Sequence, residues 1–319
     1  MNLKRKGLRG KILPGSVGAN WMLRAPIRSV VLLLGAASLA LPLAIPAAAA
    51  DGPGQSAPNA TLRTVAATAP DIPLGEYEFQ VEQDLLQLAN QSRRQAGAPT
   101  LSLDTGLSAA ARIHAQAMLE AHQLSHQFEG EPSLVQRLVA TTKLQLDQAA
   151  ENVALDYSAA GGHEHLMLSP PHRANLLNPA YNVVGLGVVR SGDRLYIVED
   201  FAHALPGYSA DEVKQRVASA VNQMRHQSKR PALTRRDLQN ADDAACSMAQ
   251  ADKLGTPPVR QLAERYTVLT YTSLYPETLP KEATNAIDSP NLHAFSIGAC
   301  YARTATYPTG IHWIVLTLD

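Results

Sequence analysis

The first fifty residues contain no acidic side chain, yet they hold seven Lys or Arg: Lys4, Arg5, Lys6, Arg9, Lys11, Arg24 and Arg28. The formal net charge of zero therefore averages two unlike parts. Beyond residue 50 there remain 21 basic against 28 acidic residues, a net of −7. An acidic body repels phosphate backbones, which sets nucleic acid aside as a partner. Cysteine is scarce, with only Cys246 and Cys300, both late in the chain. They leave two readings: a bond formed in an oxidising compartment, or two buried thiols acting as small hydrophobes. No Gly-x-Ser-x-Gly elbow surrounds any serine, Ser125 and Ser169 included, so a serine hydrolase is not expected.

The basic stretch runs into an apolar segment, Ser29–Ala50, that ends in Ala47-Ala48-Ala49-Ala50 before Asp51. A charged start, an apolar run and a small-residue exit are the parts of a secretory signal. The run also approaches the ~20 residues that span a bilayer, so residues 1–50 read as a cleaved signal or an uncleaved anchor. Either one places the body outside the cytoplasm: extracellular, periplasmic or in the cell envelope. Membrane contact is then confined to the N-terminal segment, if it stays uncleaved. Residues 51–75, rich in Ala, Pro, Thr and Gly, read as a flexible linker.

Order begins near Glu76. Leu85, Leu86, Leu88 and Ala89 fit a helix that Gly97 and Pro99 stop. A second helix follows Asp104, its expected N-cap, with Leu107, Ala111, His114, Ala115 and Met118 at helical spacing. Ser133 starts a third, and a fourth runs from Gly162 to Leu168 before Pro170-Pro171. Val183–Val189 and Leu195–Phe201 are apolar and β-branched around Ser191-Gly192-Asp193, a hairpin pattern. Helices followed by a hairpin predict an α+β layered domain over 76–204.

The opening of this unit recurs. Asn90-Gln91, Arg93, Gln95, Pro99 and Leu101 reappear 132 residues later as Asn222-Gln223, Arg225, Gln227, Pro231 and Leu233. Val184-Gly185-Leu186 has a counterpart in Ile297-Gly298-Ala299, followed by the apolar Trp313–Leu318. Residues 205–319 are therefore expected to be a smaller, degenerate copy that lost its middle and any polar cleft. Cys246 falls in the repeated helix and Cys300 in the repeated strand, elements that should pack face to face.

The residues that could carry chemistry are Ser125-His126, Glu151-Asn152 and the run Ser169-Pro170-Pro171-His172-Arg173-Ala174-Asn175-Leu176-Leu177. Their order, followed by Tyr181-Asn182-Val183-Val184-Gly185-Leu186-Gly187-Val188, resembles a bacterial SCP-type extracellular domain of the CAP superfamily (cysteine-rich secretory, antigen 5 and pathogenesis-related proteins). The resemblance implies an α-β-α sandwich with a cleft lined by histidines and acids, here His126, Glu151 and His172. Glu164 is the nearest carboxylate for a second acidic position, because Leu168-Ser169-Pro170 offers none.

Two imidazoles, His126 and His172, with a carboxylate beside them suit a divalent metal such as Zn²⁺, with a position left for water. The same three could work without metal, a histidine acting as base and Glu151 orienting it. Asn152, Arg173 and Glu164 are the further binding candidates, although Arg173 suits an ion pair with an acid of the fold at least as well. His163 and His165 stand two apart on a helix and point away from each other, a poor metal motif. The leading reading is an exported module that binds a small ligand, lipid or envelope component through its cleft. The alternatives are an extracellular metal-dependent or histidine-based hydrolase, and an envelope scaffold whose second copy docks a partner.

Overall fold

The computed structural model describes residues 20–22 and 77–319. The expected signal or anchor and the linker fall outside the described residues, apart from a three-residue strand, β1 (Asn20–Met22).

The first helices form where the sequence punctuates them. Helix α1 (Phe79–Gln95) is followed by the short strand β2 (Ser102–Leu103) and helix α2 (Thr105–Ala121). Asp104 caps α2, its carboxylate accepting from the Leu107 N–H at 2.8 Å. His122 ends that helix in the left-handed conformation, with φ 50°. Helix α3 (Leu134–Thr141) starts with a capping box of Ser133 and Gln136. After β3 (Leu146–Asp156) come α4 (Ala159–Leu168) and α5 (Pro170–Leu177), then the hairpin of β4 (Val183–Ser191) and β5 (Arg194–Ala204). Gly192 turns this hairpin with φ 61°.

The strands make one sheet in the order β1-β3-β5-β4-β2. Ala149, Val153, Val198 and Ala202 face α2 and α3, whereas Ala150, Ala154, Ile197 and Phe201 face α1, α4 and α5. The result is an α-β-α sandwich. Helix α2 lies hard against β4, for a Cβ at Gly185 would stand 2.1 Å from the Leu107 carbonyl carbon.

A second set of elements follows: α6 (Ala210–Gln227), β6 (Thr234–Arg235), α7 (Gln239–Ala251), α8 (Pro257–Ala263), β7 (Thr267–Ser273), α9 (Ala283–Ile287), β8 (Ala294–Ala302) and β9 (Ile311–Leu318). Their sheet runs β6-β8-β9-β7, the strand order of β2-β4-β5-β3, with the same parallel and antiparallel pairings. The local bonds correspond as well. Arg93 donates to the carbonyls of Pro99, Leu176, Asn178 and Tyr181; Arg225 donates to those of Pro231, Ile287 and Ser289. The stretch between α7 and β8, where the middle was expected to be missing, forms α8, β7 and α9.

Cys246 on α7 and Cys300 on β8 form a disulfide, with Cα atoms 5.0 Å apart and a sequence separation of 54. Chain-entropy reasoning for a loop of that length gives roughly 4 kcal/mol. Cys246→Ser with Cys300→Ser is expected to lower the stability of this second unit by about that amount, measured as the shift of its urea unfolding transition.

Candidate functional site

Strand β3 delivers the site. Successive residues on a strand point to opposite faces, so Glu151 turns toward α2 and α3 while Asn152 turns toward α5. The Glu151 carboxylate, 2% exposed, accepts from His126 Nδ1 at 2.9 Å through one oxygen and from the Arg137 guanidinium through the other. Arg137, on α3, also reaches the carbonyls of His126 and Pro132, both at 3.4 Å. His114, buried on α2, places one ring nitrogen 2.6 Å from Glu131 and the other 2.8 Å from the Ser125 carbonyl. The loop carrying His126 is thereby pinned at Ser125, at its own backbone and at Glu131. His126 Nε2 meets no partner among the described residues.

On the opposite face, the Asn152 amide donates to the His172 carbonyl at 3.2 Å and to Glu199 at 3.1 Å. Its own oxygen accepts from Asn175 at 3.0 Å. This network fixes the first turn of α5, where Pro170-Pro171 present the half-buried His172. Burial, and then the nearby charge of His126, push the His172 pKa below the ordinary imidazole value. His172 Nε2, like that of His126, has no partner among the described residues.

Two carboxyl groups stand behind this arrangement. Asp200 lies directly across from Glu151 in the β3–β5 ladder and is fully buried, with neither oxygen meeting a donor. Burial and the Glu151 charge drive its pKa well up, against the pull of Arg137. A protonated Asp200 sharing its hydrogen with Glu151 satisfies both groups. Glu199, across from Asn152, is pushed up to about 7 by burial, which outweighs the Asn152 hydrogen bond.

His126 and Glu151 are thus in direct contact, and His172 is tied to the same strand through the bond from Asn152 to its carbonyl. Asn152 is fully buried and spends its amide on His172, Glu199 and Asn175, so it positions the site and touches no ligand. Glu164 is exposed on α4 and bonds to none of the three cleft residues. Arg173 is exposed and forms no ion pair among the described residues, so the acid partner expected for it is absent there. His163 and His165 diverge, bonding Ser92 at 2.8 Å and Asp156 at 2.5 Å. The sequence reading missed His114, Glu131, Arg137, Glu199 and Asp200. Adjacent carboxylates inside the apolar run Leu195–Phe201 were the available signal for the last two.

Among the described residues no group of three or more metal-ligating side chains occurs.

Residues 86–201 match the CAP family, described as the cysteine-rich secretory protein family. These residues are a CAP domain. All three cleft residues lie within it. The chain is 29% identical over 149 residues to the uncharacterized protein YkwD of Bacillus subtilis (strain 168), covering 46% of this chain and 55% of that relative. It therefore spans about half the length of that protein. An extracellular protein of Bacillus anthracis containing an SCP domain is 25% identical, with a TM-score of 0.37, covering 40% of this chain and 41% of its own. An outer surface protein of Borrelia burgdorferi is 16% identical, with a TM-score of 0.37, covering 40% of this chain and 94% of its own. No helix among the described residues is long and apolar enough to cross a membrane.

Proposed function

We propose that this is an exported CAP-domain protein that binds a small ligand, lipid or envelope component through the His126–Glu151–His172 cleft, with a divalent metal such as zinc as a candidate resident. The observation that carries the reading is the pair of unpartnered Nε2 atoms, His126 and His172, beside the buried residues Glu151 and Asn152. A metal there would be held by those two nitrogens, with Glu151 fixing the His126 ring; it would polarise an oxygen of the bound ligand. The depressed pKa of His172 favours the neutral, ligating form. It also favours the metal-free alternative, in which His172 acts as a general base in a hydrolase outside the cell.

Export is supported by the basic N-terminus with its alanine-rich exit and by the disulfide. The shared strand order and the Arg93/Arg225 bonds support reading residues 205–319 as a degenerate copy, which an envelope scaffold could use to dock a partner. Purified protein dialysed against zinc is expected to hold one equivalent, removable by chelator, and His126→Ala with His172→Ala to hold none. Retention of zinc by the double variant would refute the metal reading.

A further inference from the structure

The second sheet carries a cavity of about 480 Å³ on its α7 side, between the end of α7, α8 and strands β7 and β9. Its apolar wall is Leu254, Val259, Ala263, Val268, Tyr307 and Trp313. The β-ladders fix where it lies. Gly185, Asp200 and Glu151 stand in one row across the first sheet, and Gly298, Val315 and Thr270 in the corresponding row of the second. Both glycines rest on a helix, Gly185 against Leu107 of α2 and Gly298 against Ala241 of α7. Thr270, which lines the cavity, thus occupies the place of Glu151, and Val315 that of Asp200. Where the CAP domain builds a charged network, the second unit leaves an apolar hollow.

The cavity has features of a binding site beyond its size. Tyr307 packs edge-on against Trp313, ring centroids 5.7 Å apart at 81°, giving an aromatic wall. Trp313 is 1% exposed, and its indole N–H has no acceptor among the described residues, an uncommon state for a buried donor. Lys253 and Arg260 are exposed at the rim. The one carboxylate there, Asp252, is already engaged by Thr304 Oγ1 at 2.7 Å and the Thr306 N–H at 2.8 Å. Two cations against this one carboxylate leave the rim net positive.

We propose that this cavity binds a compact aromatic carboxylate, its ring against the wall that Trp313 and Tyr307 form and its charge between Lys253 and Arg260. The site is independent of the histidine cleft. The chain has only two tryptophans, Trp21 and Trp313, so the full chain carrying Trp21→Phe reports on the cavity through a single indole. Titration with 3-phenylpropionate is expected to change its emission saturably. Arg260→Glu, a surface change, should raise the Kd by about tenfold or more, the cost of losing a charged contact. The neutral 3-phenylpropanol should bind more weakly by a similar factor. Ala263→Phe, which fills the cavity, should abolish the response. A folded protein with no saturable response overturns the proposal, as does a Kd unchanged in Arg260→Glu.

Discussion

Replacing Arg137 by alanine is expected to destabilise the CAP domain by about 3–5 kcal/mol, the usual consequence of leaving a buried charge without its partner. Arg137 is 5% exposed and binds the Glu151 carboxylate, which has Asp200 as its buried neighbour across the ladder. Without the guanidinium, Glu151 loses its permanent cation and is left with His126, the more distant His114 at 3.8 Å and the carboxyl group of Asp200 in a low-dielectric layer. Burial without compensation decides the size of the effect, because the same ion pair at the surface would contribute at most about 1 kcal/mol. Glu151→Gln removes the charge that Arg137 serves, so the two substitutions should couple by about 2 kcal/mol or more in a double-mutant cycle. Urea denaturation of the four proteins measures this. Additive losses would mean that Arg137 acts through packing alone.

The second large effect is a pH dependence. Glu199 holds its proton up to about pH 7, whereas an ordinary glutamic acid releases it near 4.5. Between these values the unfolded chain loses the proton and the folded chain keeps it, so this residue makes stability fall as pH rises through that window. At about 1.4 kcal/mol per pH unit the loss reaches roughly 3 kcal/mol. His312 opposes it. Burial beside Tyr208 and Tyr301 lowers its pKa to about 4 from 6.5, so its contribution is lost as pH falls through that range.

These two terms offset each other in the native protein, and single variants separate them. Glu199→Gln, which keeps an oxygen for the Asn152 amide, is expected to match the parent at pH 5 and to exceed it by up to about 3 kcal/mol at pH 8. His312→Phe should gain mainly at acidic pH. Urea midpoints at the two pH values decide. An unchanged difference between parent and Glu199→Gln across the range would show that Glu199 is ionised in the fold throughout.

Local chemistry made much of this readable in advance. Asp104 and Ser133 are helix-starting residues that need only their own neighbours to act, and both cap the helices expected of them. The Ser191-Gly192-Asp193 turn is likewise local. Strand β3 was not legible, because its stretch Leu146–Asp156 mixes Asp, Gln, Glu and Asn among alanines and lacks an apolar alternation. Its polar residues are buried only because α2, α3 and α5 supply partners from distant parts of the chain. For the same reason Arg137 drew no reading from the sequence and Asn152 was read as a binding candidate; their bonds depend on a ladder and a loop that no short window contains. The family resemblance located His126, Glu151 and His172, whereas the groups that hold them needed the fold.

Whether His126 and His172 present free Nε2 atoms to a single cleft is tested most directly by long-range ¹H–¹⁵N spectra of the histidine rings during a zinc titration. Resonances of both Nε2 atoms should shift together and saturate at one zinc per chain, while His126 Nδ1 keeps the hydrogen donated to Glu151. A response from one ring alone, or from neither, would contradict the shared site.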